Sequence, residues 1–433
     1  MESTHIREAY VQERWCKPAY YLPGAFKTLE NMLHLGTLWI SIWRLRRLHF
    51  EPQNISATRI ARRRVSDQWT TRGLLLSKMF RALVILAASL SAASATKLLS
   101  VSVSAPSSSF DVSGLEVTTT ITNTGDETLK LLNNPASVLS KWATNSFEVT
   151  NADGTTADFT GVKVRYSPEV AAKSTDESAF TVLAPGASID VAHEVGTFYN
   201  FTNAGAGSFT FKPSNIFHAV DADGSVTIVE AGVQDASSEL TGQLASSKLI
   251  SPASAGGVEL SLAANHKKRA TYRSNCSSSR QTTNNQAITA AATLARNSIS
   301  HLTANPSGST LQTTWYGTWA SSRYQSTLKA FNTLATAPAG WTYDCSCTET
   351  QTYAYVYPAT YGVVYLCGLY WNVATTGSGS RADTIIHEGT HFPQVLGTDD
   401  VTYGESSCKS LARSNPAQAV NNADNHAFFS DYA

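Results

Sequence analysis

The stretch that decides the fold and the chemistry reads His387-Glu388-Gly389-Thr390-His391, then Phe392-Pro393-Gln394-Val395-Leu396, then Gly397-Thr398-Asp399-Asp400-Val401-Thr402-Tyr403-Gly404. The first five residues form the pattern H-E-x-x-H. Positions four apart on a helix lie on one face, so His387 and His391 can offer two imidazole nitrogens to one metal ion. Glu388 follows the first histidine directly, where a carboxylate can act as general base on a water molecule. The pattern predicts a helix that carries two ligands of a Zn²⁺ site.

A third protein ligand is expected, because catalytic zinc sites use three and leave one position for water. Gly397 and Thr398 predict a turn after the helix, which would return the chain toward the histidines. Asp399 and Asp400 follow this turn, and the residues alone leave both open as the third ligand. Tyr403 can donate its phenolic proton to a developing oxyanion. The alternative for Tyr403 is a packed aromatic ring with a satisfied hydroxyl.

Charge is uneven along the 433 residues, although the formal net charge is zero. Residues 1–78 carry 13 Lys and Arg against 6 Asp and Glu, a net charge of +7. Residues 96–269 carry 11 against 18 (net −7), and residues 270–433 carry 8 against 9 (net −1). Because only the first segment is basic, we expect no nucleic-acid partner and no membrane-surface binding by the chain as a whole.

Two segments are expected to precede the folded part. Residues 1–78 contain an apolar run, Leu33 to Trp43, that is shorter than the ~20 residues of a spanning helix. A membrane anchor or nuclear-localisation patch is one interpretation of residues 1–78. We favour a segment without a settled fold that is absent from the natural product. Residues 79–95 have the charged start, apolar run and A-x-A end of a secretory signal peptide, which predicts translation from Met79 and a secreted product.

Residues 96–250 are predicted to form an all-β, antiparallel sandwich-like domain, because short apolar runs alternate with Asn-, Asp- and Gly-rich turns. The predicted strands are Leu98–Val103, Leu115–Ile121, Phe147–Val149, Val162–Tyr166, Phe180–Leu183, Ile189–Val191, Ser208–Phe211 and Val226–Val229. The domain contains no cysteine. We interpret His193 and His218 as surface or local structural residues.

Residues 251–269 are predicted to be a linker that ends in Lys267-Lys268-Arg269. These three residues are interpreted as the site of a processing protease, with an ordinary solvated charge run as the alternative. Cleavage there would release residues 270–433, starting near Ala270 or Thr271.

Residues 270–433 are predicted to combine helices with a small sheet. The expected helices are Gln286–Leu302 and Arg323–Leu334, and the expected strands are Tyr353–Tyr357 and Gly362–Tyr370. Asp383 or Thr384 is expected to cap the helix of the motif. Asn415-Pro416 is expected to begin a last helix that runs to about Phe429.

The combination of H-E-x-x-H with G-T-x-D-x-x-Y-G resembles the deuterolysin-type metallopeptidases, the aspzincins. Residues 397–404 match at every fixed position, and the resemblance covers about residues 79–433. Within that family the chain is most similar to the fungal peptidyl-Lys metalloendopeptidases. The stretches that support this are Thr271-Tyr272, Thr313-Thr314-Trp315, Tyr355-Val356-Tyr357-Pro358, Val364-Tyr365-Leu366-Cys367-Gly368 and Asn422-Ala423-Asp424-Asn425-His426.

The resemblance implies a role for each residue of the motif. His387, His391 and Asp400 are expected to bind one Zn²⁺. Glu388 is expected to be the base, and Tyr403 the hydrogen-bond donor to the transition state. The implied fold is a zincin-like α+β domain, with the motif helix beneath a small antiparallel sheet. An edge strand of that sheet, within residues 353–370, is expected to bind substrate by strand addition.

Cysteine usage supports export. Five of the six cysteines lie in the last 164 residues, which predicts disulfides in an exported domain. The sequence leaves the pairing open, but the resemblance implies that Cys276 pairs with Cys345 and Cys347 with Cys367. Cys408 is then left over, either as a buried free thiol, which we favour, or as an intermolecular link.

One position departs from the peptidyl-Lys pattern. The resemblance implies acidic side chains near the last helix that bind a lysine at P1′, the residue after the scissile bond. Asp424 is present, but Ala427 stands where a Glu is expected. A buried ammonium needs paired negative charge to offset its desolvation. We therefore expect a weakened preference for lysine.

These observations together predict a secreted zinc metalloendopeptidase made as a preproprotein, with protein or peptide substrates. Residues 96–250 would be a pro-domain that keeps the enzyme latent or assists its folding. A cysteine switch is excluded, because this segment has no cysteine. The mature form is expected to have no stable membrane anchor. The alternative from another class is a secreted or cell-surface binding protein with a catalytically degenerate zincin domain.

Overall fold

A computed structural model describes residues 96–246 and 269–433. The predicted N-terminal extension, the signal peptide, and the linker up to Lys268 lie outside the described residues. Within the two described ranges, no helix is both long and apolar enough to cross a membrane.

Residues 96–246 form a β-rich region. Its strands are β1 (Leu99–Ser104), β2 (Ser108–Asp111), β3 (Val117–Asn123), β4 (Leu129–Leu132), β5 (Phe147–Asn151), β6 (Asp158–Phe159), β7 (Lys163–Tyr166), β8 (Phe180–Leu183), β9 (Ser188–His193), β10 (Tyr199–Asn200), β11 (Gly207–Pro213), β12 (Ile216–Val220), β13 (Val226–Gln234) and β14 (Ala236–Gln243). A short helix, α1 (Pro168–Ala171), follows β7. Each of the eight predicted strands overlaps one of these.

Two sheets contain most of these strands. One has the order β8-β4-β12-β13-β1-β3-β9, and the other has the order β2-β14-β11-β5. Alternate residues of β3 are buried, as a strand with one face on a core requires. Leu99, Phe209 and Leu240 come from different strands of the two sheets and join one buried hydrophobic cluster.

Two strand pairs in this region are parallel, which corrects the expectation of a wholly antiparallel arrangement. β1 pairs in parallel with β13, and β14 pairs in parallel with β2. Parallel neighbours need a long connection rather than a hairpin. The first two strands and the last two have most of the region between them, so this condition is met.

Residues 269–433 combine helices with short strands. The helices are α2 (Ser278–Ala304), α3 (Thr310–Tyr316), α4 (Ser321–Leu334), α5 (Arg381–Thr390), α6 (Glu405–Ser414), α7 (Pro416–Val420) and α8 (Ala423–Tyr432), and the strands are β15 (Thr271–Tyr272), β16 (Thr342–Asp344), β17 (Thr352–Val356) and β18 (Val363–Leu366). Helix α5 packs between α2 and α8. Its residues from Ala382 to Thr390 are all buried.

Two predicted helix ends are wrong. The cap of α5 is Ser380, whose hydroxyl accepts a hydrogen bond from Asp383 N, so Asp383 and Thr384 lie inside the first turn. The last predicted helix is divided into α7 and α8, although Asn415 caps α7 as expected. The side chain of Asn422 explains this division, because its amide oxygen accepts hydrogen bonds from Val401 N at 2.9 Å and Thr402 N at 3.1 Å.

The sheet of this region is mixed, which corrects the expectation of an antiparallel sheet. Its order is β15-β16-β18-β17-β7, and the pairs β15–β16 and β16–β18 are parallel. The disulfides Cys276–Cys345 and Cys347–Cys367, with Cα separations of 5.1 and 4.6 Å, each join the chain just after two neighbouring strands. Strands whose carboxyl ends are linked over so short a distance run parallel.

The fifth strand of this sheet comes from the β-rich region. β7 pairs antiparallel with the edge strand β17, with Val164 opposite Tyr355 and Arg165 opposite Ala354. The two described regions belong to one compact unit. The edge strand that was expected to bind substrate is therefore occupied by a segment of the same chain.

Candidate metal centre and active-site cleft

Close packing fixes the helix that carries the motif. Ala382, Ile385 and Ile386 place the apolar face of α5 in the core. Gly389 is required by contact, because a Cβ there would lie 2.4 Å from Leu334 Cδ2 and 2.7 Å from Trp341 Cη2. The backbone of α5 is thus held against α4 at the level of the two histidines.

A tight turn after α5 brings the chain back. Gly397 has a φ of +75°, a conformation that glycine adopts without steric cost. Gly397 N and Thr398 N both donate to Thr390 O, at 2.9 and 3.1 Å. The hydroxyls of Thr390 and Thr398 lie 2.8 Å apart. This is the predicted turn, and it delivers Asp400 to the histidines.

Three ligand-type atoms converge at this point. His387 Nε2 lies 3.1 Å from Asp400 Oδ1, His391 Nε2 lies 3.3 Å from the same oxygen, and the two nitrogens are 3.2 Å apart. Among the described residues this is the one group of three His, Cys, Asp or Glu side chains that could hold a metal ion. Asp399 is not part of it and forms an ion pair with Lys163 instead.

The chemistry of these three atoms fits a zinc ion. His391 Nδ1 donates to Thr398 O at 2.9 Å, so its Nε2 presents a lone pair. Asp400 Oδ1 is buried and accepts no hydrogen bond from a described residue. Atoms about 2.0–2.1 Å from a tetrahedral zinc stand roughly 3.3–3.4 Å apart, close to the separations here. A cation at the centre of these three atoms would be bound by all three side chains.

The protonation states agree with a ligand set. Burial lowers the pKa of His387 to about 3, so the ring is neutral. Burial alone would raise the pKa of Asp400, but the two histidines hold it well below its usual range. Histidine binds metals as the neutral ring and aspartate as the anion.

Glu388 lies beside this cluster, fully buried. Its pKa is well above the usual range, first because of burial and then because of the charge on Asp400. Oε1 accepts the backbone N–H of Arg165 at 3.0 Å, while Oε2 has no partner among the described residues. A carboxyl group with a raised pKa can both take up and release a proton.

Backbone polar groups of β7 form hydrogen bonds with three of the motif residues. Tyr403 donates its hydroxyl to Val164 O at 2.7 Å, and Val164 N donates to Asp400 Oδ2 at 2.8 Å. The next backbone N–H, that of Arg165, is the one on Glu388. In the peptide bond between Val164 and Arg165, the carbonyl oxygen thus accepts a hydrogen bond from Tyr403, and the N–H donates one to Glu388.

The side chain of Arg165 enters an acidic pocket. Its guanidinium bonds to Asp424 and, at 3.2 Å, to Asp383 Oδ2. Asp431 lies against Asp383, and burial raises the pKa of Asp431 to about 8. The acidic pocket of Asp383, Asp424 and Asp431 therefore holds three carboxyl groups. The sequence interpretation, which counted Asp424 alone, was incomplete.

Spacing in the sequence could have indicated these further acids. Asp383 precedes His387 by four residues on α5, and Asp431 follows Asp424 by seven on α8. Both intervals keep residues on one helix face. Asp424 has a second contact, because its Oδ1 lies 2.8 Å from His387 Nδ1, although the ring is not aligned for a hydrogen bond.

The cysteines and His426 contact other parts of the fold and not the metal cluster. The four paired cysteines form the two disulfides that the resemblance implies, and Cys408 is a buried free thiol. His426 bonds to Tyr316 and to Val420 O, at 3.0 and 2.8 Å.

Comparison with known proteins defines the class to which this fold and site belong. The family of lysine-specific metallo-endopeptidases, aspzincin M35, matches residues 301–431. A peptidyl-Lys metalloendopeptidase of Armillaria mellea is 43% identical over 343 residues, which cover 78% of this chain and 93% of that protein. A peptidyl-Lys metalloendopeptidase of Grifola frondosa is 39% identical over 360 residues, which cover 82% and 98%. A solved zinc peptidase from Grifola frondosa shares 41% identity and covers 36% of this chain and 96% of its own, with a TM-score of 0.35.

The chain belongs to the aspzincin M35 family and is a metalloendopeptidase. Its substrates are accordingly proteins or peptides, and the family implies a metal ion, typically zinc. The alternative of a binding protein with a degenerate site would require a broken cluster. Every side chain of the cluster is present here.

Proposed function

We propose that this chain is a secreted zinc endopeptidase made as a preproprotein, in which residues 270–433 are the catalytic domain and residues 96–250 the pro-domain. The observation that carries the proposal is the convergence of His387 Nε2, His391 Nε2 and Asp400 Oδ1 within 3.1–3.3 Å of one another, beside Glu388. The matches to metalloendopeptidases support the same reaction.

His387, His391 and Asp400 would hold the zinc ion in this mechanism. When bound, the ion supplies Lewis acidity that polarises the scissile carbonyl and lowers the pKa of a water molecule. Glu388 accepts a proton from the attacking water, whose oxygen bonds to the carbonyl carbon. Tyr403 donates a hydrogen bond to the oxyanion that develops. Glu388 then gives the proton to the nitrogen as the C–N bond breaks, which yields a carboxylic acid and an amine.

The backbone contacts of β7 support these roles. A base that serves the leaving nitrogen must lie within hydrogen-bond reach of it, and Glu388 Oε1 is 3.0 Å from Arg165 N. A donor to the oxyanion must reach the carbonyl oxygen, and the Tyr403 hydroxyl is 2.7 Å from Val164 O. The two groups act on the two sides of one peptide bond.

We assign latency to the same strand. β7 covers β17, so an incoming substrate cannot add to that edge while β7 is bound. Steric cover by a strand also accounts for latency in a pro-domain without a cysteine. Cleavage after Lys267-Lys268-Arg269 by a processing protease would cut the covalent link, after which the pro-domain can dissociate.

Export is part of the proposal. The signal-like residues 79–95 and the two disulfides support a secreted, extracellular product. Expression from Met79 in a secreting fungal host tests the whole scheme. The secreted protein is expected to begin near Ala270 or Thr271 and to contain one zinc ion. A product that retains residues 96–250 and is fully active would contradict the pro-domain assignment.

Lysine at P1′ is the proposed preference. The ion pair between Asp424 and Arg165 of the bound strand β7 supports a P1′ pocket at Asp424. Both relatives named above are peptidyl-Lys metalloendopeptidases. A digest of a random peptide library should show lysine enriched at P1′. A digest without that enrichment would remove the preference and leave the endopeptidase.

A further inference from the structure

Arg165 is a buried cation that crosses from one region into the other. Only 3% of its side chain is exposed, and its partners Asp383 and Asp424 are 0% and 1% exposed. A buried guanidinium persists only where carboxylates compensate its desolvation. Here both carboxylates belong to residues 269–433. The site for an arginine side chain is therefore built into the peptidase region.

The backbone defines which substrate position Arg165 occupies. Its backbone N–H donates a hydrogen bond to Glu388, and the preceding carbonyl, that of Val164, accepts one from Tyr403. If these two residues act as proposed above, the bond between Val164 and Arg165 stands in the place of the scissile bond. Arg165 is then the residue immediately after it, and its side chain occupies the P1′ pocket.

The acidic pocket suits the shape of a guanidinium as well as its charge. The Cζ atom of Arg165 is 5.7 Å from the ring centroid of Tyr353 and 5.7 Å from that of Phe428. Asp383 and Asp424 accept from separate guanidinium nitrogens. Aromatic faces with carboxylates at the edges match a planar, delocalised cation with several donors better than a compact ammonium.

Two further acids extend the acidic pocket beyond Asp424. Asp383 Oδ1 and both carboxyl oxygens of Asp431 are buried, and the two carboxyl groups lie against each other. Asp431 also interacts electrostatically with Arg165. Ala427 lies between Asp424 and Asp431 on α8 and is fully buried. Because the side chain of Ala427 is a single methyl group, it leaves room in the pocket for a long substrate side chain.

We infer that Asp383 and Asp431 complete, with Asp424, a P1′ pocket that takes arginine, so that the enzyme hydrolyses bonds on the amino side of arginine as well as lysine. This inference rests on the proposed function. Strand β7 displays the bound pose, with Val164 at P1 and Arg165 at P1′. Asp383 and Asp431 are specificity-determining residues, separate from the groups that hold the metal or move the proton.

The test uses mature enzyme obtained from the full precursor and three peptides that differ only at P1′, which is arginine, lysine or citrulline. Citrulline has nearly the shape of arginine without its charge. We expect cleavage before arginine and before lysine, with kcat/KM for citrulline lower than for arginine by about 30-fold or more. Asp431→Asn, compared with wild type at a pH above 8 where Asp431 is ionised, should lower kcat/KM for arginine by about tenfold and affect lysine less, and an unchanged ratio would remove Asp431 from the pocket. Glu349→Gln, which removes an exposed acid, should leave both unchanged.

The outcomes separate this inference from the proposed function. Cleavage before lysine but not before arginine would overturn the arginine pocket and leave the endopeptidase standing. Equal rates for arginine and citrulline would do the same. Absence of all cleavage by zinc-loaded wild type would overturn the proposed function and this inference with it. The peptide comparison needs only wild type, so it decides the question even if Asp431→Asn does not fold. Asp424 is avoided, because it also contacts His387.

Discussion

The two described regions are built by different means. Residues 96–246 have no cysteine and depend on one hydrophobic cluster shared by two sheets. Residues 269–433 have two disulfides and bury the motif helix among other helices. All the residues of the cluster and of the acidic pocket lie in the second region. The first contributes strand β7, whose Arg165 enters the acidic pocket.

This difference fits the proposal that one region carries the chemistry and the other controls it. The peptidase region is cross-linked by two disulfides, which suits the proposed secreted form without residues 96–250. The β-rich region is held to it by backbone pairing of β7, by the ion pairs of Lys163 and Arg165, and by a small buried cluster that contains Tyr166 and Tyr403. Such a covering is stable as part of one chain and can be lost once the chain is cut.

The largest effect on kcat/KM should come from the metal ligands of the peptidase region, because the proposed reaction depends on the ion that they bind. His391→Ala, or removal of metal by a chelator, should lower kcat/KM by roughly a thousandfold or more, since the ion contributes several kcal/mol to the transition state. Zinc content and peptide hydrolysis check this. Asp399→Asn is the matched control and should keep the metal. Loss of zinc in Asp399→Asn but not in Asp400→Asn would reverse the ligand assignment.

The next effect concerns control by the first region. Arg165→Ala, in a precursor whose Lys267-Lys268-Arg269 site is blocked, should raise peptidase activity by at least about tenfold, because a buried charge pair is lost. Lys212→Ala removes the exposed pair with Glu148, whose side chains are 59% and 61% exposed, and should change nothing. Activity of the blocked wild-type precursor equal to that of mature enzyme would show that β7 does not inhibit.

Removal of a disulfide should weaken only the cross-linked region. The double variant Cys347→Ser and Cys367→Ser opens a loop with a sequence separation of 20 residues, which should cost about 3 kcal/mol of the free energy of unfolding. Urea unfolding of mature enzyme measures this. A reducing agent should destabilise wild type and leave the double variant less affected. Unchanged stability in the variant would mean that helix packing suffices.

Acid should weaken the β-rich region. His193 is buried beside Thr119, and burial lowers its pKa from 6.5 to about 4. The unfolded state therefore binds the proton more readily, so stability falls as the pH drops below 6.5 and levels off near 4. At pH 5 the loss is roughly 2 kcal/mol. Hydrogen exchange of β3 and β9 in the precursor checks it, and His193→Gln should flatten the pH dependence.

The sequence was sufficient where chemistry is local. The two histidines, Glu388 and the turn lie within a short stretch, so their spacing places them near one point, whereas the choice of Asp400 over Asp399 came from the family resemblance. Eight strands of residues 96–246 also followed from short apolar runs between turns, whereas β2, β4, β6, β10, β12 and β14 were not predicted. Of the two interpretations of His193 and His218, surface or local structural, burial of both side chains supports the local structural one.

Long-range contacts were beyond the sequence. The pattern Val162–Tyr166 predicted a strand but not its partner, because the residues of a strand do not indicate which other strand it pairs with. Parallel pairs were missed because strands distant in the chain meet only through tertiary packing. Asp383 and Asp431 were missed for a related reason, since their convergence depends on how α5 packs against α8.

The zinc site with Glu388 as base is the central claim, and one measurement tests it most directly. Wild type and Glu388→Gln are matured identically from the precursor, and zinc content is measured beside hydrolysis of one lysine peptide. Both proteins should hold one zinc ion per chain, and the variant should hydrolyse the peptide between roughly 10² and 10⁴ times more slowly. A zinc-loaded Glu388→Gln enzyme with the rate of wild type would contradict the account.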